Sequence, residues 1–223
     1  MGTKKIQSHK DLTEGPWKLL LAHAFEILDD LKRHGGIEDP FWTLGGGTVL
    51  MLRHRHRKSK DIDIFVPDPQ YLGFVTPRLS DVAASVSQDY VEAAGFVKLI
   101  RPEGEIDFVA APNLTETPYE IWELLGREVK VETSAEIVAK KLWHRGDVAT
   151  ARDLFDLSLV IEKEPQSLHS AAVHLSRHRV KFLEQIETRK QILQVQFDAI
   201  DKLDYEPKFA DASAIAKRFL ENL

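Results

Sequence analysis

Apolar residues recur at Leu20, Leu21, Ala24, Ile27, Leu28 and Leu31. That spacing puts them on one face of a helix over residues 16–33, with Pro16 at its start and Gly35-Gly36 after its end. Residues 41–44 then predict a short strand that runs into three glycines, and 48–53 predict one or two helical turns. Positions 61–66 alternate apolar and polar and stop at Pro67, the pattern of a strand. Residues 81–94 predict a helix closed by Gly95. Two more strands are expected at 96–100 and 105–110 around the turn 101–104, and another at 128–131. Beyond this point the period becomes helical. Thr133 and Glu136 have capping-box spacing and open a helix through Trp143. Further helices are expected at 150–162, at 167–200 as one or two long segments, and at 212–220. The fold class is therefore α+β. A mixed-sheet domain over residues 1–131 precedes a helical C-terminal domain over 132–223, with no internal repeat or low-complexity tract.

Composition narrows this picture. With 223 residues, 43% of them hydrophobic, the chain can bury a real core. Lys and Arg number 30 against 35 Asp and Glu, a net charge of −5, so nothing global announces a nucleic-acid binder. The absence of cysteine removes disulfides, thiolate metal sites and a cysteine nucleophile. The start, MGTKKIQSHKD, lacks the apolar run of a leader, and no stretch has the length and apolarity of a membrane span. A soluble cytoplasmic protein is expected.

Chemistry concentrates in residues 45–65, GGGTVLMLRHRHRKSKDIDIF. Aspartate is a poor strand residue, yet two sit in this strand. Asp61 and Asp63 lie two apart, which puts both on one face about 7 Å apart at the Cα atoms, with Ile62, Ile64 and Val66 on the other. Neighbouring carboxylates repel, and Mg²⁺ bound with phosphates removes that penalty. Asp107 is a third strand carboxylate among apolar neighbours. If its strand pairs beside the first, three aspartates can serve a two-metal phosphoryl-transfer site. At Gly45–Gly47 the backbone can approach a phosphate closely, and a helix opening at Thr48 would direct its N–H groups at the same anion. Each feature alone has an ordinary reading: a turn, a solvated strand face, an edge residue. Their order along the chain favours a site.

These residues resemble a known family. Gly46-Gly47-Thr48-Val49-Leu50, then Arg57, Ser59 and Asp61-Ile62-Asp63-Ile64-Phe65, are similar to the signature of the AbiEii-type nucleotidyltransferase toxins, in the DNA polymerase β-like nucleotidyltransferase superfamily. Ala139-Lys140-Lys141-Leu142 with Arg152-Asp153-Leu154-Phe155-Asp156-Leu157 resembles that family's later block. The resemblance spans about residues 40–160 and implies a polymerase β-like catalytic domain completed by the helical part. It implies Mg²⁺ at Asp61 and Asp63, to which the strand reading above adds Asp107 and a second ion. It implies an NTP substrate with its triphosphate at Gly46 and Gly47, where the helix reading adds Thr48, and Arg57 and Ser59 beside the phosphates. Lys141 would contact the nucleotide, with adjacent Lys140 as the other candidate, and Asp153 would belong to the last site block. The family analogy further implies a toxin held in check by an antitoxin, with a tRNA end as acceptor.

Other readings stand beside these. The same metal site would serve a small-molecule, antibiotic-type nucleotidyltransferase, and a non-catalytic nucleotide- or RNA-binding regulator could share the fold. Arg152, Asp153 and Asp156 could be plain helix ion pairs. Arg53, Arg55, Arg57, Lys58 and Lys60 read either as a solvated link or as a grip on an RNA backbone. His54 and His56 lie among these cations, which disfavour a metal between them. The basic segment 174–181 is either a helix face or an extension of an RNA surface.

Overall fold

The computed structural model describes residues 13–223, so the expectation that residues 1–11 carry no leader falls outside the described residues. The chain divides into two compact units. One comprises residues 13–52, 59–113 and 119–132, and the other 53–58, 114–118 and 133–223. The expected α+β class, a mixed sheet followed by a helical C-terminal region, is what the structure has. Among the described residues no helix is long and apolar enough to cross a membrane.

The first unit opens with α1 (Trp17–His34), whose last turn carries Lys32, Arg33 and His34 where the helix dipole favours cations. Its apolar stripe, Leu20, Leu21, Ala24, Ile27 and Leu31, is fully buried. β1 (Thr43–Gly45) leads directly into α2 (Gly46–His54), and β2 (Ile62–Val66) follows. The short helices α3 (Leu72–Val75) and α4 (Asp81–Val86) precede β3 (Tyr90–Ala93), β4 (Phe96–Arg101), β5 (Gly104–Ala110), β6 (Tyr119–Leu124) and β7 (Arg127–Glu132). These form one seven-stranded mixed sheet in the order β3-β4-β5-β2-β1-β7-β6. β2 runs parallel to β5 and antiparallel to β1, and β1 runs parallel to β7. Alternation gives the sheet two unlike faces. Ile62, Ile64, Val66, Val97, Leu99, Ile106 and Phe108 are buried on one face, where α1 packs against β2 and β5 and α3 against β4 and β5. The intervening residues of β2, β4 and β5 occupy the other face.

The second unit holds α5 (Ser134–Arg145), α6 (Ala151–Lys163), α7 (Pro165–Ser170), α8 (Ala172–Ser176), α9 (Arg179–Thr188), α10 (Lys190–Asp198) and α11 (Phe209–Glu221). Its core stacks Phe155 against Phe197 (5.2 Å between ring centroids) and Tyr205 (5.3 Å), and Phe197 against Phe209 (5.6 Å).

Three expectations differ from the structure. The helix expected over 81–94 ends at Val86, and Tyr90–Ala93 is a strand. Pairing with β4, Tyr90 opposite Leu99 through Ala93 opposite Phe96, overrides the weak helical preference of that stretch. The segment 167–200 is four helices, broken at Ala171, Arg177-His178 and Arg189. Leu168, Leu175 and Phe182 keep a seven-residue spacing across the breaks, so the apolar period alone reads as continuous helix. The capping box at Thr133 is half made. Thr133 Oγ1 accepts from the Glu136 N–H, but the buried Glu136 carboxylate instead accepts from Leu114 N, Thr115 N and Thr115 Oγ1. A complete capping box stands at Thr150–Asp153.

Candidate active site

The first unit brings Asp63 and Asp107 level on adjacent parallel strands. Gly45 is opposite Asp63 on β1, and Lys98 is opposite Asp107 on β4. The register of β1 with β7, Leu44 beside Val131, puts Glu132 next to Gly45. One row therefore crosses the sheet as Glu132, Gly45, Asp63, Asp107 and Lys98. Lys98 and Glu132 escape sequence reasoning, because only strand pairing places them in this row. The remaining signal is alternation: Lys98 is polar within the otherwise apolar FVKLI.

Asp107 is the electrostatically unusual member. Burial pushes its carboxyl up to about 7, the charge of Asp63 and that of Glu105 push the same way, and Lys98 pulls back. The Lys98 ammonium is 3.4 Å from Asp107 Oδ2 and also pairs with Glu105. Asp107 Oδ1 is buried without a hydrogen-bond partner. A buried acceptor with no donor, next to a second carboxylate, is what a cation relieves.

Asp61 stands just before β2, and its Oδ1 accepts the Glu105 N–H at 3.0 Å. Thr48 Oγ1 donates to the Asp61 carbonyl at 2.6 Å and lies 3.0 Å from Ser59 Oγ. Thr48 and Ser59 thus pin the chain entering the aspartate strand. Among the described residues no group of three or more His, Asp or Glu side chains is arranged to hold a metal ion. Mg²⁺ commonly needs only one or two carboxylates when phosphates supply the other oxygens, and the Asp63–Asp107 pair fits that requirement.

The glycine turn is shaped by the carboxylates on either side. Gly46 has φ +74°, and a Cβ there would overlap Asp63 Oδ2. A Cβ on Gly45 would overlap Glu132 Oε2. Glu132 is fully buried, and its Oε1 accepts from Thr43 Oγ1 at 2.8 Å. The glycines leave room for two carboxylates and open α2, whose first amides have no intrahelical acceptor. Gly46→Ala should cost about 1–3 kcal/mol from the left-handed backbone alone. It should also displace Asp63, so urea unfolding and a nucleotide-transfer assay should both register it. A variant of wild-type stability and rate would remove Gly46 from the site.

In the second unit, Lys141 Nζ donates to Asp153 Oδ1 (3.0 Å) and Asp156 Oδ2 (2.8 Å). Arg145 also reaches Asp153 Oδ1, at 2.6 Å. Arg57 grips Asp156 with both arms, Nε at 2.7 Å and Nη2 at 2.8 Å, and His56 Nε2 is 2.9 Å from Asp156 Oδ1. Burial pushes both aspartates up, but the surrounding cations outweigh it. Lys141 and Arg145 lower Asp153, and Arg57 and Lys141 hold Asp156 well below the usual carboxylate range. Burial keeps His56 low, against the pull of Asp156.

The basic run is therefore largely spent on ion pairs within this unit. Arg57 is on Asp156, Arg55 on Asp204 (2.8 Å) and Lys58 on Asp201 (3.0 Å). His54 Nε2 is 3.0 Å from both Ser134 Oγ and Glu164 Oε1, so the two histidines serve different carboxylates. Of the two adjacent lysines, Lys140 is buried and 3.5 Å from Glu136, whereas Lys141 is the one on Asp153 and Asp156. In the segment 174–181, Arg177 lies over the Trp143 ring at 4.4 Å and Lys181 pairs with Glu184.

A family model described as "Nucleotidyl transferase AbiEii toxin, Type IV TA system" matches residues 29–219. Among solved structures, the chain is similar to MenT4, a nucleotidyltransferase toxin of Mycobacterium tuberculosis H37Rv. The two are 18% identical with a TM-score of 0.53, covering 93% of this chain and 83% of that one. JHP933 of Helicobacter pylori is also similar, at 18% identity and a TM-score of 0.47, covering 95% of this chain and 94% of that one. At such identity the MenT4 likeness shows a shared fold. No curated protein matches the chain.

Proposed function

From the premise that this chain belongs to the AbiEii family of nucleotidyltransferase toxins, we propose that it moves a nucleoside monophosphate from an NTP to the terminal hydroxyl of an RNA, with a tRNA end as its cellular acceptor. The observation that carries the reaction is the register of Asp63 with Asp107, beside a glycine turn that only glycine can make.

Asp63 and Asp107 would hold Mg²⁺ together with the phosphates, two ions being the natural number for such chemistry, while Asp61 fixes the start of their strand through the Glu105 N–H. The metal, when bound, neutralises phosphate charge and acidifies the attacking hydroxyl. The amides of Gly46, Gly47 and Thr48 would receive the triphosphate. The acceptor oxygen forms a bond to the α-phosphorus, the bond from that phosphorus to the α,β-bridging oxygen breaks, and pyrophosphate leaves. Asp107, level with Asp63 on the neighbouring strand, is the carboxylate placed to take the hydroxyl proton. Lys141 is assigned to the nucleotide because two carboxylates fix its ammonium while one of its three N–H groups remains for a third acceptor. Asp153 holds Lys141 and acts through it. Arg57 acts through Asp156, since Nε and Nη2 are on that carboxylate and Nη1 is 3.3 Å from Lys58 O. Ser59 supports the aspartate strand. A separately made antitoxin and a cytoplasmic setting follow from the type IV toxin reading.

Incubation with each labelled NTP, Mg²⁺ and total RNA tests the proposal: label should appear in RNA. Label on a small hydroxyl compound alone would favour an antibiotic-type acceptor, and transfer to RNA should weaken steeply with salt where that to a small acceptor should not. No label with any acceptor would sink the assignment.

The raised Asp107 carboxyl gives a separate expectation. Its proton must leave before the pair can hold a dication, so Mg²⁺ affinity should rise with pH and level off above about 7. Below that value the slope should approach about tenfold per unit, one proton being released. Calorimetry at pH 6 and 8 checks it. Equal affinities would count against Asp107.

A further inference from the structure

The open face of the sheet continues past the carboxylates. Two residue pairs along from the Asp63–Asp107 level, and so on the same face, Phe65 is opposite Val109 and Val109 opposite Phe96. Beside Lys98, Val91 of the edge strand β3 points to the same side and is 47% exposed. Phe96 and Val109 are half-buried on this face, while their strand neighbours Val97 and Phe108 are fully buried on the other. Phe96 and Val109 thus form an aromatic and aliphatic strip immediately beside Asp107 and Lys98.

Its place in the row says what it can serve. Pyrophosphate must leave toward the glycine turn, on the β1 side of Asp63. In-line displacement brings the attacking hydroxyl from the opposite side of the α-phosphorus, the side of β5 and β4. The charges nearest the strip are Lys98, Glu105 and Asp107, already joined to one another, so the strip offers no surplus cation for a phosphate. A flat, neutral, π-faced group suits such a surface, and a nucleic-acid base is that group.

We propose that Phe96 and Val109, flanked by Val91, form the stacking seat for the terminal base of the RNA acceptor, next to the carboxylate that receives its hydroxyl proton. This rests on the nucleotidyltransferase reading above and adds the side on which the acceptor enters and the group by which it is recognised.

A short single-stranded RNA with 2-aminopurine as its last base tests the seat without any turnover, because stacking quenches that base. Quenching should accompany binding to the wild-type protein, be lost in Phe96→Ala and persist in Phe96→Trp. In transfer assays Phe96→Ala should raise the KM for RNA roughly tenfold, a stacked base being worth about 1–3 kcal/mol, and leave the KM for NTP unchanged. Phe96→Leu, which keeps apolar bulk without the ring, should fall between them at wild-type melting temperature. Unaltered quenching in Phe96→Ala would overturn the seat. So would a KM for NTP that rises as much as that for RNA, which would make the NTP base the occupant, or transfer to small hydroxyl compounds alone. Quenching without transfer by the wild type would leave the seat and sink the proposed reaction; transfer without quenching would do the reverse.

Discussion

Asp63→Asn should lower nucleotide transfer by at least about 10³-fold, beyond the loss of a single electrostatic contact to the transition state, and leave the protein folded. The argument is local. Asp63 is on β2 at the level of Asp107, and its carboxylate fills the space a Cβ on Gly46 would need. Asparagine keeps that shape and removes the charge, so the glycine turn should survive while the affinity for a cation does not. Removing one of two repelling carboxylates should not destabilise the sheet. Burial is the main reason the Asp107 carboxyl is near 7, and the Asp63 charge is the next. In Asp63→Asn, Asp107 should therefore titrate lower, which carbonyl-carbon NMR of metal-free protein can follow. The sign is that of a raised carboxyl. In the wild type without metal the folded state binds the extra proton between about pH 4 and 7, so this group favours folding at the acid end and its contribution is lost as pH rises. The variant should show less of that loss. Transfer at the wild-type rate, or an unmoved Asp107 titration, would break the link between the two aspartates.

The sheet half of this site is legible in the sequence because its signals are local. Alternation places Asp63 opposite Ile62 and Ile64, and three glycines before a helical pattern announce a tight strand-to-helix turn. Pairing is not local. The row from Glu132 to Lys98 exists only because β7, β1, β2, β5 and β4 lie side by side, and no period along the chain encodes that order. Gly45 shows the difference. In the sequence it is an extra glycine; in the fold it is the space occupied by the carboxylate of Glu132, a residue 87 positions away in the chain. The basic run is the opposite case. Five cations in eight residues suggest a nucleic-acid grip, but Asp156, Asp201 and Asp204, all distant in sequence, occupy three of them. The helical breaks between 167 and 200 stay hidden because the buried stripe keeps its period across them.

Asp156→Ala should be the substitution most damaging to stability, by about 3–5 kcal/mol, the usual cost of leaving a buried charge without its partner. Asp156 is fully buried and accepts from both arms of Arg57, from Lys141 and from His56. Without it a guanidinium that is only 3% exposed has lost its carboxylate. Leu154, Phe155 and Leu157 around it are fully buried and leave little path for water to replace the lost oxygens. The pH dependence is specific. Asp156 is held well below the usual carboxylate range, so its contribution is fully present above that range and is lost only as pH falls through the low folded value. His56 is also depressed, chiefly by burial, so its contribution is complete above pH 6.5 and declines below that as the unfolded chain takes up the proton first. Between pH 7.5 and 5.5 His56 and the likewise depressed His144 cost stability while the raised Asp107 adds it, so the His56 contribution is read from the difference between the wild type and Asp156→Ala. In Asp156→Ala the hydrogen bond that raises His56 is gone, so the imidazole resists protonation further and the loss over the same interval should be larger. Urea unfolding at the two pH values measures both effects. A double variant with Arg57→Ala should cost less than the sum of the singles, because each removes the same contact. Additive costs, or an Asp156→Ala protein within about 1 kcal/mol of wild type, would mean that Arg57 finds another acceptor and that Asp156 is not the hub of this unit.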